Sequence, residues 1–173
     1  MPRKAETAPT PAKDYAAKTS HEVSRLASRR KQNATKPFGD PLSGTVLIVQ
    51  PPATEAVRIV DALRRSLIAV KLDRAYVTWS PLSLEELLVL EPNVLVAVGP
   101  GAAHSIDSLK YPLAKATFLA APEGSWFSWT EGTAGLKLPA LDPALDDADA
   151  KRRFWQAFLT LRVLSPQGGS NAG

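Results

Sequence analysis

The sequence predicts an α/β protein, a three-layer α/β/α sandwich around a short, mainly parallel central sheet. Three observations carry this expectation. Val46-Leu47-Ile48-Val49 and Val94-Leu95-Val96-Ala97-Val98 are continuous apolar runs, the pattern of strands buried on both faces. Segments with helical spacing alternate with such runs, and parallel strands need crossovers of that kind. Hydrophobic residues make up 45% of 173 positions and charged residues 22%, enough to bury one core.

Each element follows from local patterning. After the strand over 46–49, Gln50-Pro51-Pro52-Ala53 turns the chain. A helix is predicted from about Thr54 to Ile68, because Ala56, Ile59, Val60, Leu63 and Leu67 share one face. Arg58, Asp61, Arg64 and Arg65 face away from it. Ala75 to Trp79 is the second strand, broken by Ser80-Pro81. Ser83 and Glu86 have the spacing of a capping box and start a short helix that runs to about Leu90 and stops before Pro92. Val94 to Val98 is the third strand, and Gly99-Pro100-Gly101 turns it into a helix through about Leu109. Ala116 to Ala120 reads as a fourth strand, with shorter extended segments at 126–129 and 136–141. The last helix is expected from near Asp146 to about Val163, with Phe154, Phe158 and Leu161 inward, Trp155 and Leu159 beside them, and Asp146, Asp147 and Asp149 at the positive end of its dipole.

The positive charge is unevenly placed. Residues 1–40 hold nine Lys/Arg against four Asp/Glu, a net +5, whereas 41–173 hold twelve against thirteen. The reading is a basic, largely disordered N-terminal tail over 1–43, a folded domain over 44–164 and a flexible Gly/Ser tail over 165–173. A short helix near 20–32, capped by Ser20, would carry Arg25, Arg29, Arg30 and Lys31 as candidate phosphate contacts, with Val23, Leu26 and Ala27 on its other face. A solvated leader that aids solubility is the competing explanation of the same charge.

Composition removes several chemistries. There is no Cys, which excludes disulfides, thiol nucleophiles, thiolate zinc sites and cysteine-ligated iron–sulfur clusters. Two His, at 21 and 104, cannot build a three-His metal centre. No apolar run reaches the roughly 20 residues of a membrane span, and the N-terminus lacks the apolar region of a secretory signal. A cytoplasmic or similarly reducing compartment is expected, with no cofactor and no membrane partner.

Four places could carry chemistry. Gly99-Pro100-Gly101 follows a strand but lacks the G-x-G-x-x-G spacing and the Walker Lys, so a tight strand-to-helix turn explains it better than a nucleotide site. His104 has no Ser or carboxylate at relay spacing and reads as a surface or packing residue. Asp142, Asp146, Asp147 and Asp149 could hold a metal, but a helix start is the nearer explanation. Trp126 and Trp129 could stack on bases, or belong to a half-buried hairpin with Phe127 between them.

The order of these pieces resembles the uracil-DNA glycosylase superfamily, in particular its shorter microbial branches. Val46 to Ala53 resembles that family's first strand and its G-x-x-P-G/A loop. Tyr76-Val77-Thr78-Trp79 resembles its Y-[IV]-T-N strand, and Leu84 to Gly99 its L-x-P-x-V-[IV]-V-A-[LV]-G segment. Leu141-Asp142-Pro143-Ala144-Leu145, followed by Lys151-Arg152-Arg153-Phe154-Trp155, resembles the H-P-[AS]-x-L loop and its closing helix. The resemblance spans about residues 44–163. It implies an α/β/α domain that takes a flipped base into a pocket at the strand ends.

The same resemblance implies that the pocket is degenerate at Gln50, Pro52, Trp79 and Asp142. Gln50 and Pro51 stand where the family places an acid or Asn to activate water, next to Pro52 of the loop motif. Trp79 stands where an Asn would read the uracil edge, and Asp142 where a His would stabilise the departing uracil anion. A carboxylate there repels that anion. Leu145 matches the residue that wedges into the base stack, and could equally be a core contact. The expected function is a catalytically degenerate glycosylase-like protein that binds nucleic acid, DNA ahead of RNA, or serves as a scaffold subunit of a nucleoprotein assembly such as a replication or polymerase accessory factor. A poxvirus relative of that family is part of a polymerase processivity factor. Two alternatives stay open: an active DNA glycosylase with a rearranged pocket, and a purely protein–protein structural subunit.

Overall fold

The computed structural model describes residues 11–27, 36–52 and 56–164. Their elements, in chain order, are α1 (Pro11–Ala27), β1 (Thr45–Val49), α2 (Ala56–Ala69), β2 (Tyr76–Trp79), α3 (Leu84–Leu90), β3 (Val94–Val98), α4 (Pro100–Ser108), β4 (Phe127–Ser128), β5 (Ala134–Leu138), α5 (Asp142–Asp146) and α6 (Ala148–Phe158), followed by a 3-10 helix (Leu159–Leu164). Among the described residues the strands form one sheet in the order β2-β1-β3-β5-β4. β2, β1, β3 and β5 are parallel, and β4 adds a short antiparallel edge. Helices cover both faces, so the chain is a three-layer α/β/α sandwich.

The side-chain period of two sorts the strands onto two cores. Leu47, Val49, Val77, Val96, Val98, Leu136 and Leu138 meet Ile59, Leu63 and Leu67 of α2, Phe154 and Phe158 of α6, and Leu161. Val46, Ile48, Tyr76, Leu95 and Ala97 point the other way, toward Val23 of α1, Leu87 and Leu90 of α3, and Ala102, Ala103 and Ile106 of α4. Burial on both faces explains why β1 and β3 are unbroken apolar runs.

Local chemistry fixes the helix ends. The Ser83 hydroxyl accepts the Glu86 N–H at 3.1 Å and the Glu86 carboxylate accepts the Ser83 N–H at 3.1 Å, the expected capping box. The last helix is not continuous. Asp147 is extended, with φ −117° and ψ 123°, and its carboxylate accepts the Ala150 N–H at 2.8 Å, so α6 starts afresh there and α5 stands apart.

Two expectations are corrected. The strand expected over 116–120 is a turn. The Phe118 and Leu119 N–H groups donate to the Asp107 carboxylate at 2.8 and 3.0 Å, which leaves neither for a ladder, and Phe118 is buried as a single plug. The N-terminal helix begins at Pro11 rather than near Ser20, so residues 11–19, expected to be disordered, are helical. Its Thr19, Val23 and Leu26 are buried, and Tyr15 donates to Glu91 at 3.0 Å just beyond α3. The apolar stripe therefore docks part of the basic segment onto the body. Residues 1–10, 28–35 and 165–173, with the remainder of the expected tails, lie outside the described residues.

The segment before β1 is also bound to the sheet. Phe38 and Val77 exchange backbone bonds of 3.0 and 2.7 Å, which covers the outer edge of β2. Asp40 beside it accepts the Leu42 N–H at 2.9 Å and pairs with Arg74. The Leu42 bond, and then Arg74, hold its carboxyl below the usual carboxylate range. The stability from this group is complete above about pH 4 and is lost as pH falls through the lowered value. The stability gap between wild type and Asp40→Asn should thus be open at pH 7 and close below about pH 4, read by denaturant titration at both pH values.

Thr78 is fully buried in β2, and its hydroxyl has no hydrogen-bond partner among the described residues. Valine has the same shape without the unsatisfied hydroxyl. Thr78→Val should raise unfolding free energy by about 1 kcal/mol, measured by the denaturant midpoint at unchanged slope.

Candidate strand-end crevice and helix groove

In an open parallel sheet, ligands sit beyond the carboxyl ends of the strands where the strand order reverses. Here that point lies between β1 and β3: the chain leaves β1 toward α2 on one face, and leaves β3 toward α4 on the other. Gln50 ends β1 and Gly99-Pro100-Gly101 ends β3. The two turns meet directly. Gln50 N–H donates to Val98 O at 2.9 Å, and the Gln50 Oε1 accepts the Gly101 N–H at 2.6 Å.

The carboxamide thus caps the first turn of α4 and joins the two turns at the strand ends. Gly99 has φ +97°, and a Cβ built there would stand 2.8 Å from Gln50 Oε1. A Cβ at Gly101 would stand 2.7 Å from the same atom. These glycines serve a tight turn and a close side chain. His104 is exposed one turn further along α4.

The other pocket positions are dispersed. Trp79 is 3% exposed and belongs to the core under α2 and α6. Its Nε1 donates to Lys36 O at 3.4 Å. The ring is a structural filler, because its plane is enclosed on the helix-covered face. Pro52 is half-buried in the loop after β1. Asp142 is half-buried at the first position of α5, which follows β5. The ends of β2 and β5 are three strand spacings apart, about 14 Å. Gln50 is therefore brought to the crevice centre, while Trp79 and Asp142 stand on its opposite flanks.

Leu145 packs partly against the α2–α6 core, the contact that competed with the wedge reading. Arg25 is exposed on α1 and pairs with Glu22 three residues earlier. Arg29, Arg30 and Lys31 lie outside the described residues. Trp129 is buried and stacks on Tyr111 at 5.2 Å between centroids, so the hairpin explanation holds for it. No group of three or more His, Asp or Glu among the described residues could hold a metal ion, and the aspartates of 142–149 act as helix starts and ion-pair partners.

A cavity not expected from the sequence lies on one helical face. α2, α5 and α6 together line a groove of about 640 Å³. Its floor is Leu141, Ala144, Leu145, Phe154 and Trp155, and Arg58, Arg65, Lys151 and Arg152 rim it. Arg58 reaches Asp146 at 3.2 Å, Arg65 reaches Asp61 at 2.6 Å and Arg152 reaches Asp149 at 2.8 Å. The signal was present as cations interleaved with the apolar stripe of each helix, but charge beside a stripe is also what an ordinary solvated helix face shows.

No family model matches the chain, and no curated protein matches it. No helix among the described residues is long and apolar enough to cross a membrane.

Gly99 tests the crevice geometry. Gly99→Ala forces a side chain into a positive-φ position as well as against Gln50, and should cost about 1–3 kcal/mol of unfolding free energy by chemical denaturation. Adding Gln50→Ala should recover only the steric part, leaving the double variant below wild type.

Proposed function

We propose that this chain is a catalytically degenerate uracil-DNA glycosylase-like protein that acts as a nucleic-acid-binding or scaffold subunit of a nucleoprotein assembly, with DNA ahead of RNA as its partner. The observation that carries this reading is the 2.6 Å bond from Gly101 N–H to Gln50 Oε1. It commits the chain's own carboxamide to the strand-end turn beside which an enzyme of that kind would hold an extruded base.

Further support comes from where the resemblance holds and where it breaks. The matching residues lie mainly on β1, β2, β3 and the α5–α6 segment, which build the core. The departures, Gln50, Trp79 and Asp142, fall on the positions that would activate water, read the base and stabilise the leaving anion. The basic segment supports phosphate contacts: Arg25 projects from the exposed side of docked α1, immediately before Arg29, Arg30 and Lys31 in sequence. A cytoplasmic or other reducing compartment belongs to the same reading, since a Cys-free chain needs no oxidising environment.

The test has two arms. Uracil-containing single- and double-stranded oligonucleotides incubated with the protein should yield no abasic product; release of free uracil overturns the degenerate-enzyme half. A fluorescent single strand should bind at low salt, and four phosphate contacts would weaken binding roughly 50-fold between about 50 and 200 mM salt. Absence of binding to DNA and RNA at low salt removes the nucleic-acid half and leaves the protein–protein scaffold.

A further inference from the structure

We infer that the groove between α2 and α6 is a nucleotide seat, with a base stacking against Trp155 over the Leu145 floor and its phosphate held by Lys151. This rests on the nucleic-acid reading above and gives it a location away from the strand-end crevice.

The cavity, about 640 Å³, is the size of a small-ligand site. Some of the polar groups that line it are not used up. Lys151 makes no ion pair, and neither Trp155 Nε1 nor the Ser66 hydroxyl makes a hydrogen bond, among the described residues. Trp155 is half-buried and stacks against Phe158 at 5.7 Å between centroids, which holds the indole rigid while its groove side stays reachable. A rigid ring beside a cation is the pairing that holds a single-stranded unit, because every base has a π-face and every unit a phosphate.

Asp61 is the one carboxylate among the described residues that line the groove, against four cations. Asp61, Asp146 and Asp149 each face an Arg already, and Asp147 is occupied as the cap of α6. Three of these four carboxylates have side chains 57% to 87% exposed in their ion pairs, so water screens them and their arginines can turn to a phosphate. An acidic amphipathic peptide is the competing occupant, and it brings no base to stack on the indole.

The experiment uses the full chain and two probes, a fluorescein-labelled oligo-dT of twelve units and free dTMP. Binding is read by anisotropy for the first and by the shift of the Trp155 indole N–H resonance for both. Lys151→Glu should weaken oligonucleotide binding about tenfold, the size of one lost stacking or phosphate contact, and Trp155→Phe less than that. Lys110→Glu, the same charge change beyond α4 on the opposite layer, should leave affinity within twofold. Indole shifts with both probes make the groove a seat for free nucleotide and strand alike; a shift with the oligonucleotide alone restricts it to strands, and either supports the inference. Equal losses in Lys151→Glu and Lys110→Glu, with the indole unmoved, overturn the seat while nucleic-acid binding survives. If wild type binds neither probe, the seat falls together with the DNA part of the nucleic-acid reading.

Discussion

The structure depends on a parallel ladder buried on both faces. β1 lies between β2 and β3, and Val46, Leu47, Ile48 and Val49 are each at most 2% exposed. A strand in that position must place apolar side chains above and below, and alternate residues must satisfy two separate helical layers. Once that register is set, the carboxyl ends of β1 and β3 are fixed beside each other. Everything at the strand-end crevice follows from what the next residues, Gln50 and Gly99, do there.

What they do is join its two turns. A glutamine is long enough to reach from one turn to the next, and its carboxamide oxygen meets a helix N-terminus whose first N–H groups have no intrahelical acceptor. The bond satisfies one of those donors internally, at 2.6 Å. An acidic side chain or a bound ligand could satisfy the same need. Here the acceptor is a neutral carboxamide supplied by the chain itself.

Much of the architecture was legible in the residues. Continuous apolar runs gave β1 and β3, the Ser83/Glu86 pair gave the start of α3, and Ile59, Leu63 and Leu67 gave the buried stripe of α2. The failures have physical causes. Ala116 to Ala120 has the composition of a strand, but a carboxylate eleven residues away, Asp107, captures its N–H groups, and no local pattern reports that. The early start of α1 was hidden because its stripe is sparse: Thr19, Val23 and Leu26 bury one side of a helix otherwise rich in Ala, Lys and Ser. The site was less legible than the fold. Trp79 could not be placed in the core or the pocket from strand periodicity alone, since both sides of β2 are covered, and the groove beside Trp155 is lined by residues of α2, α5 and α6 that are far apart in sequence.

The most direct measurement of the central claim is the amide resonance of Gly101 in the intact protein during titration with free uracil at millimolar concentration. With Gln50 seated on that N–H, the resonance should stay where it is throughout the titration, as should the Gln50 side-chain amide. A saturable shift of both would mean that the carboxamide yields and the crevice accepts a base, contrary to this account.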